Sequence, residues 1–210
     1  MDSSLRITAL DPDPRRPDSV RVEIDGARFG AISREVVEVE SLTPGRVIDG
    51  ELQERLATAA DMESAYRTVL RALEIRSYAR GDLIRRLLRK GHPRPAVEAA
   101  TERAARLGLL DDAAFTATYV QTRSARGRGP SRLTRDLLSM GVERSVINRA
   151  IATEWPEGTD RMAVPLALAR KRAAQLGPLP RQTKRRRVVA YLARRGFTGR
   201  DISELVDKVM

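Results

Sequence analysis

The amino-acid sequence predicts a mostly α protein, in which tandem three-helix repeats form an elongated array behind a small N-terminal β segment. Two observations carry this prediction. From about residue 49 to the C-terminus, apolar residues recur at helical spacing, and the same pattern of apolar residues and glycine occurs three times. Before residue 45, apolar and polar residues instead alternate in short runs, which is typical of strands.

The repeat is defined by four positions. Two apolar residues and a glycine follow one another at intervals of four, and a further apolar residue comes six positions after the glycine. Pairs of leucines four residues apart are common in helical proteins, but the whole pattern in the same order three times indicates a structural repeat. The three sets are Leu83, Leu87, Gly91 and Val97; Leu133, Leu137, Gly141 and Ile147; and Val188, Leu192, Gly196 and Ile202.

Each repeat is expected to contain three helices. The glycine supplies the left-handed conformation that ends one helix, and a second amphipathic helix begins after a short polar link. A further helix precedes each pair, at 64–75, about 112–124 and about 161–176. The predicted repeats span residues 49–110, 111–158 and 159–210, and each repeat is expected to contact mainly its neighbours in the array.

The first 48 residues are predicted to form a small β-containing segment that packs against the helices that follow. Apolar residues alternate with polar ones over 5–9 and 20–24, and Asp25-Gly26 is a hairpin turn signal. The proline-rich run 11–17 predicts a break between the first two strands. The valines at positions 36, 37 and 39 either extend the sheet or form a short helix.

Composition excludes several classes of protein. The chain has no cysteine, which rules out disulfides, thiolate metal sites and cysteine nucleophiles. Its longest apolar stretches, about six residues, are too short to span a membrane. No apolar run stands behind a basic segment over Met1 to Arg6, so no signal peptide is predicted. We expect a cytoplasmic monomer that makes no membrane contact.

The net charge of +11 is unevenly distributed. Residues 1–60 carry 8 basic and 12 acidic side chains, a net of −4, and residues 61–210 carry the other 31 and 16, a net of +15. Arginine supplies nearly all of the positive charge, and its planar fork suits phosphates and interface carboxylates. A GC-rich genome, which favours arginine codons, would also produce this bias.

No combination of residues predicts catalysis. The single histidine, His92, lies in a loop beside two prolines and is interpreted as a solvated side chain. Asp111 and Asp112 precede a helix that starts near Ala113, so capping of that helix is favoured over metal binding or acid–base chemistry. Neither a phosphate-binding glycine loop nor a serine elbow occurs. We expect no enzyme activity, no metal and no cofactor.

The candidate binding residues are basic side chains in two regions. Arginines surround the glycine-rich link 127–130, and residues 161–200 contain twelve Lys or Arg and no acid. Such a density of charge repels itself unless a polyanion or an acidic surface neutralises it. Aromatic residues are few, so contact with phosphate or with an acidic protein is favoured over base stacking or base readout. The predicted partner-binding or DNA-binding residues are Arg123, Arg126, Arg128, Arg132, Arg135, Arg170, Lys171, Arg172, Lys184, Arg185, Arg186, Arg187, Arg194 and Arg195.

The middle repeat resembles the signature of the RecX family. Gly108-Leu-Leu-Asp-Asp-Ala-Ala-Phe115 is followed by Arg123, by the glycine-rich basic link, by Asp136-Leu137 and by Gly141-Val142. The preceding repeat is similar to the family at Asp82-Leu83 and at the basic residues before Gly91.

The resemblance covers about 64–155 closely and 161–210 loosely. The chain departs from the family pattern at Ala79, where a serine usually caps a helix. That helix start is expected to depend on Ser77 or Asp82 instead.

The resemblance implies a non-catalytic regulator of the RecA recombinase. Such a protein binds the filament of RecA on single-stranded DNA and inhibits its extension, its ATP hydrolysis and its strand exchange, in recombination, DNA repair and the SOS response. The basic face would meet acidic RecA surface, single-stranded or duplex DNA, or both.

A helix-turn-helix-like regulator that binds DNA directly, without RecA, is the alternative. The glycine between two helices of each repeat and the positive charge support it. No helix concentrates Asn, Gln and Arg at its N-terminal end, as base readout requires. An enzyme acting on DNA ranks third because a metal site is lacking.

Overall fold

The computed structural model describes residues 5–14 and 16–210; the expectations for the first four residues and for Arg15 lie outside this part of the chain. It confirms a mostly helical fold with a small N-terminal antiparallel sheet and tandem three-helix groups. No described helix is long and apolar enough to cross a membrane. The elements are β1 (Ile7–Asp13), β2 (Arg16–Ile24), β3 (Ala27–Ser33), α1 (Arg34–Val39), α2 (Gly50–Ile75), α3 (Arg80–Arg89), α4 (Arg94–Arg106), α5 (Asp112–Ser124), α6 (Pro130–Ser139), α7 (Arg144–Glu154), α8 (Ala163–Gln175), α9 (Arg181–Arg195) and α10 (Arg200–Val209).

The sheet has the strand order β1-β2-β3, with both pairs antiparallel. The predicted hairpin turn is confirmed, because Asp25 and Gly26 have φ angles of +49° and +77°. The predicted break was placed too broadly: β1 continues to Asp13 and β2 begins at Arg16, with an irregular register between Pro12 and Asp13. The sheet therefore uses part of the proline-rich run.

The valines at 36, 37 and 39 form the short helix α1 rather than a strand. Ser33 begins this helix, and its side-chain oxygen accepts a hydrogen bond from the backbone N–H of Val36 at 3.3 Å. The sequence allowed either a longer sheet or a short helix here, and the hydrogen bond to Ser33 stabilises the helix.

Helix α2 is longer than predicted and contributes buried residues to two apolar clusters. The helix predicted over 64–75 begins at Gly50, where the Asp49 carboxylate accepts a hydrogen bond from the N–H of Leu52 at 2.7 Å. The first half of α2 packs Leu56 against the sheet, and the second half packs Val69 against α3 and α4. The described residues up to Tyr78 and Asp82–Leu110 therefore form one compact unit.

A second compact unit contains Ala79–Gly81 and Asp111–Met210. It holds α5, α6 and α7 around one apolar cluster and α8, α9 and α10 around another. Each group corresponds to one predicted three-helix repeat.

The positions that define the repeat have equivalent environments in all three groups. The glycines have φ angles of +87°, +82° and +92°, as left-handed helix ends require. The apolar residues six positions later are also buried. The central leucines, predicted to occupy equivalent core positions, are fully buried: Leu87, Leu137 and Leu192.

In the second unit, the start of α6 contacts Gly196, the glycine at the end of α9. The start of α3 contacts the end of α6 in the same way. The Gly129 N–H donates to the carbonyl oxygen of Arg195 at 2.7 Å, and a side chain at Gly129 would lie 2.6 Å from the carbonyl oxygen of Gly196. Likewise, a side chain at Gly81 would lie 2.8 Å from the carbonyl oxygen of Met140. Glycine permits both close approaches because it has no Cβ.

The start of α3 differs from the sequence-based expectation. Its first N–H, that of Arg80, donates to the side chain of Asp112 at 2.7 Å, rather than to Ser77 or Asp82. A carboxylate distant in sequence thus satisfies one of the free amides at this helix start.

Candidate anion-binding site

Five arginines and one tyrosine line a recess of about 300 Å³ in the second unit. The lining comes from the last turn of α5, from the last two turns of α9, and from the segment 125–129 between α5 and α6. From here on, the glycine-rich link means this whole segment. No carboxylate lines the recess. We call this the arginine recess; its residues are Arg123, Arg126, Arg128, Tyr191, Arg194 and Arg195.

Close backbone packing holds the glycine-rich link against the end of α9. Gly127 has a φ of +73°, and a side chain there would lie 3.0 Å from Nη1 of Arg195 and 3.3 Å from Cδ1 of Leu168. The hydrogen bond from Gly129 to the Arg195 carbonyl fixes the other end of the link. The two glycines therefore let two segments distant in sequence form one wall.

The side chain of Arg195 is hydrogen-bonded to the protein backbone. Its Nη1 donates to the carbonyl oxygen of Arg126 at 3.1 Å and to that of Gly127 at 3.2 Å. Its guanidinium carbon also lies 4.9 Å from the centre of the Tyr191 ring, and that of Arg172 lies 5.6 Å from the same ring. The aromatic ring helps to hold the two guanidinium groups.

The other four arginines of the recess have no carboxylate partner in the part of the chain that the structure describes. Among the described residues, the structure gives the side chains of Arg126, Arg128 and Arg194 neither an ion pair nor a hydrogen bond. The guanidinium carbon of Arg123 lies 5.4 Å from the centre of the Tyr119 ring, and no described carboxylate pairs with it. Four positive charges thus converge on one small volume.

The remaining predicted binding residues do not line the recess. Two of them are ion-paired: Arg132 lies 2.9 Å from Asp136, and Arg185 binds Asp207. Arg172 contacts Tyr191 and Gln175. Lys184 is half-buried, and the other five are exposed: Arg135, Arg170, Lys171, Arg186 and Arg187. Their part in binding stays a prediction.

Tyr119 lies beside the recess and stays protonated. Burial raises the pKa of its hydroxyl, and the neighbouring Asp136 carboxylate raises it further. The hydroxyl therefore adds no negative charge beside Arg123.

The structure confirms the prediction from the sequence for Asp111 and contradicts the one for His92. Capping by Asp111 is confirmed, because its carboxylate accepts hydrogen bonds from the N–H groups of Ala113 and Ala114 at 2.8 and 2.9 Å. The interpretation of His92 as a freely solvated side chain is wrong. It is half-buried, and its Nε2 lies 3.1 Å from the hydroxyl of Thr68.

Asp207 forms an ion pair with Arg185 on the surface of the third three-helix group. The hydrogen bonds from Arg185, one of them 3.0 Å from Nη2 to Oδ2, hold the pKa of the Asp207 carboxyl below its ordinary value. The pair therefore stabilises the fold above the ordinary pKa of aspartate, and this contribution is lost as the pH falls through the lowered pKa. In an NMR titration, Arg185→Gln should raise the midpoint of Asp207 toward the ordinary value of an aspartate. The neighbouring Arg186→Gln is the control, and equal midpoints in both variants would contradict the prediction.

Comparisons with known proteins follow the same division into repeats. Residues 111–151 match the family model described as RecX, second three-helix domain, and residues 166–206 match that of the third three-helix domain. The chain is 34% identical to regulatory protein RecX of Xanthomonas campestris over 60% of its own length and 76% of that protein. It is also 34% identical to regulatory protein RecX of Halorhodospira halophila, over 66% of its length and 84% of the relative.

A crystal structure of regulatory protein RecX has the same fold, with a TM-score of 0.76 over 97% of this chain and 99% of that chain, at 22% identity. The sequence identity over most of the two relatives, rather than this structural likeness, settles the family. The chain belongs to the RecX family of regulatory proteins.

Proposed function

We propose that this protein regulates the RecA recombinase by binding its filament on single-stranded DNA. Binding inhibits extension of the filament, ATP hydrolysis and strand exchange in recombination, DNA repair and the SOS response. The protein acts in the cytoplasm as a monomer and catalyses no reaction itself. The proposal combines membership of the RecX family with one observation of the structure, the four uncompensated arginines of the arginine recess.

Repeated three-helix groups suit a protein that binds a filament. A filament presents the same surface many times, and linked groups bind successive copies of that surface with a high effective concentration. Modest contacts by each group then add to a large total affinity.

The test is the effect of the purified protein on RecA. We expect substoichiometric amounts to lower the rate of ATP hydrolysis by RecA on single-stranded DNA and to inhibit strand exchange, with no ATP hydrolysis by the protein alone. The control is the protein after heat unfolding. RecA activity that is unchanged at an excess of folded protein would refute the proposed function.

Direct DNA binding without RecA is the second candidate, and the arginine recess favours it as well. Binding to RecA filaments, bare single strands and bare duplex should therefore be measured side by side across a salt series. A filament regulator binds the filament more tightly than either bare DNA at every salt concentration. A direct DNA binder gains nothing from RecA, and its affinity falls steeply with salt.

A further inference from the structure

The charges of the arginine recess are arranged for a ligand rather than for solubility. Three other arginines of the second unit are ion-paired: Arg132 with Asp136, Arg185 with Asp207 and Arg200 with Glu204. A surface that only needs solvation spreads its charges apart, because like charges repel. Here the charges of Arg123, Arg126, Arg128 and Arg194 instead share a recess of about 300 Å³.

We propose that the arginine recess binds consecutive phosphate groups of a nucleic-acid backbone, and that Arg195 is a positioning residue that shapes it. The inference rests on the proposed function and deepens it, because it names the ligand of the same site. The sequence left two ligands open for the basic residues, DNA phosphates and acidic protein surface. The proposal names DNA phosphates as the ligand.

The lining of the recess favours phosphate over a protein partner. A protein interface has an apolar centre that supplies most of its affinity, with charges at the rim. The recess has no apolar centre, since its lining is five arginines and Tyr191, whose ring is already in contact with Arg195. Guanidinium groups bind phosphate oxygens with two parallel hydrogen bonds, and such contacts need no apolar surface.

The single aromatic ring also indicates which part of the nucleic acid is bound. Stacking of successive bases requires several accessible rings. Tyr191 is the only aromatic residue of the recess, and guanidinium groups lie on it. Contacts to the backbone, independent of base sequence, are what this lining provides.

Arg195 acts through the glycine-rich link. Because Nη1 bonds the carbonyl oxygens of both Arg126 and Gly127, it holds the link that carries Arg126 and Arg128 against the end of α9, which carries Arg194. The recess therefore combines the second and third repeats. Without this contact, the part of the link that carries Arg126 is no longer held against α9, although the backbone bond of Gly129 remains.

The experiment measures binding of a short fluorescent oligothymidylate to the full chain, with salt varied from about 50 to 200 mM. The variant Arg126→Gln/Arg194→Gln removes two exposed arginines of the recess. The matched control, Arg144→Gln/Arg181→Gln, removes two exposed arginines of the same unit outside it. We expect the recess variant to bind about tenfold more weakly or worse. We also expect its salt slope to be smaller by about 1.4, since each contact to a single strand contributes about 0.7.

Substitution of Arg195 separates positioning from charge. Lysine keeps the positive charge but lacks the planar fork that reaches both carbonyl groups. If Arg195 positions the link, Arg195→Lys binds the oligonucleotide as weakly as Arg195→Gln does. Restoration of wild-type affinity by lysine would overturn the positioning role.

Inhibition of RecA is measured on the same variants, so that the two proposals fail separately. Equal oligonucleotide affinity and salt slope for the recess variant and the control would overturn the phosphate site, whatever happens to RecA. If inhibition of RecA falls while oligonucleotide binding does not, the recess meets acidic protein surface, and the inference is wrong. A recess variant that loses oligonucleotide binding supports the phosphate site, even if the wild-type protein does not inhibit RecA.

Discussion

Replacing Leu137 with alanine should lower the free energy of unfolding by about 2–5 kcal/mol. Leu137 is fully buried in the cluster of α5, α6 and α7, so alanine leaves a cavity that the surrounding side chains fill only in part. The single tryptophan, Trp155, packs against the same cluster, and its fluorescence during urea unfolding reports the loss. Leu87 and Leu192 occupy the equivalent positions and are also fully buried, so we expect alanine to cost a similar amount at each.

The adjacent residue provides the control for this substitution. Leu138 lies in the same helix but is 38% exposed, so Leu138→Ala removes the same atoms while creating little or no enclosed cavity. We expect the urea midpoint to fall much less for this variant. Equal losses for Leu137→Ala and Leu138→Ala would show that the repeat does not place Leu137 in the core.

The repeat was predictable from the sequence because its signals are local. Apolar residues at intervals of four define the buried side of a helix, and a glycine at the next interval ends it. The first helix was predicted less well. Leu52 and Leu56 have helical spacing, but the sequence does not show that one uninterrupted helix, α2, packs on both the sheet and the first repeat.

The arginine recess was predictable in composition but not in arrangement. All five of its arginines were among the candidate residues, together with nine other basic residues that lie outside it. Tertiary contacts bring these five arginines together. Gly129 contacts the end of α9, and the Arg195 side chain donates to the carbonyl groups of the link. The sequence signals that mark these contacts are the two glycines of the link and the Arg-Arg-Gly at the end of α9. The sequence alone does not show that these two segments contact each other, because that contact depends on how the second and third repeats pack together.

Replacing Gly196 with alanine should destabilise the protein more than the same change at Gly91, the equivalent glycine of the first repeat. A left-handed conformation, here with φ of +92°, costs a residue with a side chain about 1–2 kcal/mol. In addition, a methyl group at Gly196 would overlap the backbone nitrogen of Arg132 and lie 2.8 Å from the carbonyl oxygen of Gly129. Backbone atoms cannot move aside as a flexible side chain can, so we expect a further loss of about 1–3 kcal/mol.

Gly91→Ala separates these two causes. Gly91 ends the equivalent helix of the first repeat with φ of +87°, but a methyl group there meets no atom within 4 Å. It should therefore show only the conformational cost of about 1–2 kcal/mol. Because Gly196 also holds the end of α9 against the link, Gly196→Ala should weaken oligonucleotide binding to the arginine recess, and Gly91→Ala should not. Urea unfolding and oligonucleotide titration of both variants test this, and equal losses of stability would mean that the contact between the second and third repeats contributes nothing beyond the glycine conformation.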